Sequence, residues 1–269
     1  METALTGLTA MLLVGTSLGL LGGGGALLTV PVLVYMFGVG ATDATGYSLA
    51  VVAVTSLAGA FAHWRRGLVA RRVALIFAAP SLVSVYLTRA FLIPALPNQI
   101  HLLPDLFIGR DRLLMLAFAV MMAATAIVMI RGKQRVCENP DVECNCPGLA
   151  LQGLIIGMIA GLFGAGGGFL IVPALVLLAH LPIRLAVGTS LAIISVQSLL
   201  GFLGSVQAAV ETSMTIDWRL LTEITIAAML GMIFGLLLSP RIASRHLRAA
   251  FGWFVLIIGV GIGIRELLS

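Results

Sequence analysis

Charged side chains are scarce in this sequence. Only 10% of its 269 residues are Asp, Glu, Lys or Arg, where a soluble domain carries about 25%. With 60% of residues hydrophobic and apolar runs of membrane-spanning length recurring along the chain, a single water-facing core is excluded and most of the chain belongs in lipid. Acids are fewer still, 11 against 16 bases. The surplus is mostly Arg at the ends of apolar segments, a pattern that fits positive loops on the cytoplasmic side and not a nucleic-acid surface. No Lys or Arg precedes the first apolar run, and Gly22 to Gly25 is not a small-residue cleavage site, so a signal peptide is not expected. Cysteine is limited to Cys137, Cys144 and Cys146, all in one polar loop. An odd number in one loop argues against a disulfide framework. The spacing is not a standard zinc pattern either, although two copies in a homodimer would bring six thiols together. A reduced loop is expected there, with no metal site, no cofactor and no catalytic residue.

What the chain does have is a duplication. Shifted by 142 positions, Gly19-Leu20-Leu21-Gly22-Gly23-Gly24-Gly25 falls on Gly161-Leu162-Phe163-Gly164-Ala165-Gly166-Gly167, and Pro31 falls on Pro173. Gly46, Ser48, Leu49 and Ala50 fall on Gly188, Ser190, Leu191 and Ala192, and Ser56 and Gly59 fall on Ser198 and Gly201. Nearly half the positions from Gly19 to Gly59 match without a gap, which marks an internal repeat.

Each copy holds five hydrophobic segments. The first copy gives 5–21, 26–37, 44–62, 73–96 (with Pro80 as a kink) and 113–130; the second gives 149–163, 169–179, 185–203, 220–238 and 251–264. Residues 97–111 read as a Pro-containing loop. The organisation predicted is a first transmembrane repeat over 1–131, a cytoplasmic cysteine-containing linker over 132–148 and a second repeat over 149–269. The second segment of each copy is too short to span: twelve residues cover about 18 Å of about 30 Å of hydrocarbon. Arg65, Arg66, Arg71 and Arg72 place the loop after the third segment inside the cell. Counting crossings then puts the linker inside and the loop carrying Glu211 and Asp217 outside. An odd number of segments per copy turns the second copy upside down. The fold class expected is an all-α polytopic membrane protein with two inverted-topology repeats, a transporter signature.

The two glycine clusters are read as helix breaks within the bilayer. Backbone released from helical bonding there must be buried in protein or line a wet cavity. Short segments interrupted by Gly and Pro at matching places in two halves point to a binding site. The helices after each cluster begin with free N–H groups and the positive end of their dipole, which suits an anion. The expected substrate-binding residues are therefore Gly22, Gly23, Gly24 and Gly25 in one copy and Gly164, Gly166, Gly167 and Gly168 in the other. Pro31 and Pro173 mark the breaks. Tyr47, Ser48 and Ser56 join them from the third segment, and Thr189, Ser190, Gln197 and Ser198 from its counterpart, as polar stripes on apolar helices. The bland reading of such hydroxyls is helix–helix hydrogen bonding, and that of Gly153, Gly157, Gly231 and Gly235 is close packing. His63 is expected at the interface beside its Arg neighbours, and Glu223 as a carboxylate at a helix end.

Leu21-Gly-Gly-Gly-Gly-x5-Pro31, Gly164-Ala-Gly-Gly-Gly-x4-Pro173, Ala186-Val-Gly-Thr-Ser-Leu191 and His63-Trp-Arg-Arg-Gly67 resemble the TauE/SafE family of bacterial inner-membrane sulfite exporters. The resemblance covers nearly the whole chain. It implies passage of small sulfur-containing anions, sulfite or organosulfonates, by a secondary mechanism in a multi-pass inner-membrane protein. Its partners would be the small anion and the lipid bilayer, with no nucleic acid. A passive anion channel, and a sulfur-transfer or redox protein using the cysteine loop, are the alternative readings. The first copy carries Tyr47 where the second carries Thr189, and the cysteine insert is not a general family feature.

Overall fold

The computed structural model describes residues 2–21, 24–95, 99–103, 106–131, 146–164, 168–177, 179, 181–211, 216–238 and 244–268. Helix α1 (Glu2–Leu21) stops at the first glycine cluster. A short 3-10 helix (Gly24–Leu28) then leads into α2 (Thr29–Phe37), which ends at left-handed Gly38. Helix α3 (Ala41–Arg65) follows and ends at the turn through Gly67. Helix α4 (Arg71–Ala95) runs unbroken through Pro80 and contains a π turn at Thr88–Leu92. A hairpin of β1 (Gln99–Leu103) and β2 (Leu106–Gly109) connects to α5 (Arg110–Arg131). The second copy supplies α6 (Cys146–Phe163), α7 (Gly168–Leu177), α8 (Ile183–Glu211), α9 (Trp218–Leu238) and α10 (Ser244–Leu268).

The all-α, multi-pass expectation holds, with one local exception. Residues 97–111, read as a loop, contain an antiparallel hairpin in which Ile100 pairs with Ile108 and His101 with Phe107, and α5 already begins at Arg110. The apolar runs on either side of Pro104-Asp105, itself a turn signal, account for it. Two further boundaries move. Cys146, assigned to the polar linker, is the first residue of α6, with Pro147 tolerated in the first turn. Helix α8 continues to Glu211, past the predicted end at 203. Four described helices are long and apolar enough to cross a membrane: Ala41–Arg65, Arg71–Ala95, Arg184–Val210 and Trp218–Leu238. Leu75 (71% exposed), Leu237 (70%) and Ile257 (68%) face outward, a surface suited to lipid rather than water.

The long helices pair chiefly across the two copies. Helix α1 packs on α9 and α6 on α4; α3 packs on α8 and α5 on α10; α3 also meets α9, and α8 meets α4. Exchanging each helix for its counterpart leaves this set of pairings unchanged. The central α3–α8 pair is antiparallel. A Cβ on Gly59 would meet Leu191, and one on Gly201 would meet Leu49, and these two contacts are each other's image under the 142-residue shift. Small residues let the outer pairs approach closely. A Cβ on Gly15 or Gly231 would overlap the backbone of Ala228 or Leu12 between α1 and α9. One on Gly153 or Gly157 would overlap Phe77 or Ser81 between α6 and α4. These isolated glycines are packing glycines.

Candidate functional site

Both helix breaks are present. Helix α1 ends at Leu21 and α6 at Phe163. Gly164 sits at φ 65°, donating its N–H to the Ala160 carbonyl at 2.9 Å. A side chain there would strike the Thr45 backbone and Cβ on α3, so glycine is required both for the left-handed turn and for the close approach. Gly168 opens α7 and is buried. In the first copy the glycines lead through the 3-10 helix, with Gly25 pressed against Val14, Ser17 and Leu18 of α1, and Pro31 is buried in the first turn of α2. Pro173 lies within α7. Gly22, Gly23, Gly166 and Gly167 lie outside the described residues. The 3-10 helix of the first break packs against α7, so the two interruptions come together in the bundle.

The predicted polar residues divide into two groups. Tyr47 and Thr189, at equivalent places on α3 and α8, hold the loops of the opposite copy. The Asp217 N–H donates to Tyr47 Oη at 2.8 Å, and the Ala70 N–H donates to Thr189 Oγ1 at 2.9 Å. Asp217 and Ala70 immediately precede α9 and α4, so one clamp is the image of the other. Both hydroxyls keep a proton to donate. Ser190 Oγ donates to the Val187 carbonyl at 2.8 Å, and Ser56 Oγ to the Val52 carbonyl. Ser48, Gln197 and Ser198 behave differently. All three are fully buried, and the Ser48 and Ser198 hydroxyls and both amide atoms of Gln197 have no hydrogen-bond partner among the described residues. Thr29 Oγ1, at the start of α2, is in the same state. The antiparallel register sets Gln197 and Ser198 beside residues 52–53 of α3, about one turn of helix from Ser48. Buried polar atoms are nearly always satisfied, so four such residues on elements flanking the breaks call for a ligand or water.

A further polar group lies on α4. Arg89, late in the fourth hydrophobic segment (73–96), is inside α4 at its π turn and 2% exposed. Its Nε and Nη2 have no hydrogen-bond partner among the described residues. It lines a cavity of about 100 Å3 with Thr42, Asp43 and Tyr47 of α3 and Phe202 and Ser205 of α8. The sequence signal was available, since an ionisable residue inside an apolar span is a functional candidate by default. His63, in the last turn of α3, is buried, its Nδ1 donating to the Gly59 carbonyl at 2.9 Å. Glu223 is a surface carboxylate paired with Arg219 at 3.1 Å.

Apolar outer faces, interrupted helices meeting inside, and polar groups gathered between the copies define a multi-pass membrane protein of the transporter type. The chain belongs to the sulfite exporter TauE/SafE family, whose model matches residues 7–262. It is 32% identical over 254 residues to a probable membrane transporter protein of Xylella fastidiosa, covering 92% of this chain and 90% of that one. It is 27% identical to the probable membrane transporter protein YdhB of Bacillus subtilis, covering 84% and 86% of the two chains. It is 26% identical to the probable membrane transporter protein MJ0441 of Methanocaldococcus jannaschii, covering 94% of each. No solved structure matches the chain.

Proposed function

We propose that this membrane transporter is a secondary exporter of small sulfur-containing anions, sulfite or organosulfonates, in a bacterial inner membrane. The observation that carries the reading is the meeting of the two helix breaks beside buried, unpartnered hydroxyl and amide groups on α2, α3 and α8. Hydroxyls, an amide and helix N-termini can bind an anion with no side-chain charge at the centre. The family supports a sulfur oxyanion as substrate. The reciprocal pairing of helices and the antiparallel α3–α8 core support inverted repeats, with the Arg65–Arg72 loop inside and residue 211 outside. Rocking one copy against the other would expose the centre to each side in turn. No catalytic step is part of this reading.

The test is flux of a panel of sulfite, ethanesulfonate, sulfate and chloride in proteoliposomes, with and without proton or sodium gradients. Gradient-driven flux selective for sulfur anions supports the reading. Flux down the anion's own gradient alone would make the protein a channel, and no flux of any sulfur anion would remove the substrate class.

A further inference from the structure

The structure assigns Arg89 a role as the anchor of a second anion site, at one end of the bundle and lined by none of the break glycines, that takes a small oxyanion carrying a short apolar tail.

The argument starts from the cost of the side chain. Arginine keeps its charge at physiological pH, so burial cannot be relieved by losing a proton. Arg89 is 2% exposed and makes no ion pair among the described residues. Its two unpartnered buried nitrogens, Nε and Nη2, form the edge of the guanidinium that grips two oxygens of one anion in parallel. The backbone is shaped to place that edge. The π turn Thr88–Leu92 inserts an extra residue at this point of α4, and such turns re-aim side chains at functional sites. On the facing helix Gly204 leaves room for the arginine stem: a Cβ there would come 2.9 Å from Arg89 Cβ.

The cavity walls give the rest of the ligand. Tyr47 supplies a hydroxyl to the lining and Ile93, Phe202 and Ile216 apolar surface, while the Thr42 and Ser205 hydroxyls also line it but donate to Asp111 and to the Gly201 carbonyl. Tyr47 Oη is held by the Asp217 N–H and retains its own proton for an acceptor in the cavity. A volume of about 100 Å3 has room for a single oxyanion head on a short stem. Asp43 stands exposed at the rim, the one acid among the lining residues; it disfavours ions of higher negative charge and favours a monoanion. All lining residues come from the end of the bundle that holds the start of α3 and the ends of α4 and α8, the end the charge pattern places outside. The site stands whether or not the anion is carried across, so it is tested by binding alone.

The experiment is calorimetric titration of the full chain, purified in detergent at fixed ionic strength, with sodium ethanesulfonate, sodium propionate and sodium sulfate. Saturable binding of ethanesulfonate or propionate, stronger than that of sulfate, is expected. Arg89→Gln should weaken it at least tenfold, and Arg89→Lys, which keeps the charge and loses the fork, should fall between. Ala209→Leu fills the cavity without touching the charge and should weaken binding as much, so the question is decided even if Arg89→Gln does not fold. Unchanged binding in Arg89→Gln or Ala209→Leu, or no saturable binding of any probe, overturns the site. Sulfate binding more tightly than ethanesulfonate and propionate overturns the assigned ligand class. Binding lost in Gly24→Leu but retained in Arg89→Gln would place the anion at the breaks, leaving the transporter reading intact and this one refuted.

Discussion

Replacing Gly164 by alanine isolates what the second helix break demands of the backbone. Two costs add at this position. A non-glycine residue in the left-handed region pays about 1–2 kcal/mol. The new methyl also has no room, because it would overlap the Thr45 carbonyl and Cα as well as its side chain. Overpacking of that kind costs about 1–3 kcal/mol when the neighbours must shift. The sum is about 2–5 kcal/mol. Gly38 provides the internal control: its φ is 69°, nearly the same, but a Cβ there meets nothing within 4 Å. Gly38→Ala should therefore cost only the conformational share. Unfolding of the two variants in mixed detergent micelles, followed by tryptophan fluorescence and referred to wild type, measures the difference directly. Gly164→Ala should be the less stable by about 1–3 kcal/mol. If the two variants are equally destabilised, the break does not rest on α3 as described, and the approach of α6 to Thr45 is wrong.

Four other outcomes follow from the charge pattern, the hydrogen bonds and the sequence. Single cysteines introduced at positions 68 and 142 should resist membrane-impermeant reagents in intact cells while one at position 211 is labelled; the reverse pattern would refute the inverted-repeat orientation. Ser48→Ala removes a hydroxyl that has no protein partner, so it should leave stability unchanged and weaken apparent anion affinity by about 1.5–3 kcal/mol, whereas Thr189→Val orphans the Ala70 N–H and should lower stability by about 1–3 kcal/mol. Replacing Cys137, Cys144 and Cys146 together by Ser should leave flux intact at normal expression, and loss of flux would bring the sulfur-transfer reading forward.

The parts of this fold that were legible in the sequence are those written in local periodicity and repetition. The third segment, read as 44–62, is the core of a helix over Ala41–Arg65, and the glycine clusters end α1 and α6 where they were expected to. What escaped was of two kinds. The hairpin at Gln99–Leu103 and Leu106–Gly109 hid because a short apolar strand inside a Pro-containing polar segment reads as loop. The functions of Tyr47 and Thr189 hid because their partners, Asp217 and Ala70, are 170 and 119 residues away, on the other copy. Arg89 is visible in the sequence as a charge late in the fourth segment, but the π turn that buries it leaves no pattern in the amino-acid order. Ser48, Gln197 and Ser198 could be picked out as polar residues on apolar helices, but only the packing shows that their polar atoms are buried without partners.

The central claim, that an anion crosses at the paired helix breaks, is tested most directly by anion flux per folded protein in proteoliposomes for Gly24→Leu and Gly167→Leu beside Gly231→Leu. Gly231 belongs to packing alone: a side chain there would overlap the Leu12 carbonyl of α1, so its variant should lose flux only as it loses fold. The break variants should lose nearly all flux at a stability no lower than that of Gly231→Leu, since a leucine side chain occupies the space where backbone N–H groups would meet the anion. Normal flux in the Gly24 and Gly167 variants, or loss of flux only in step with stability, would contradict the account and leave the clusters as packing motifs.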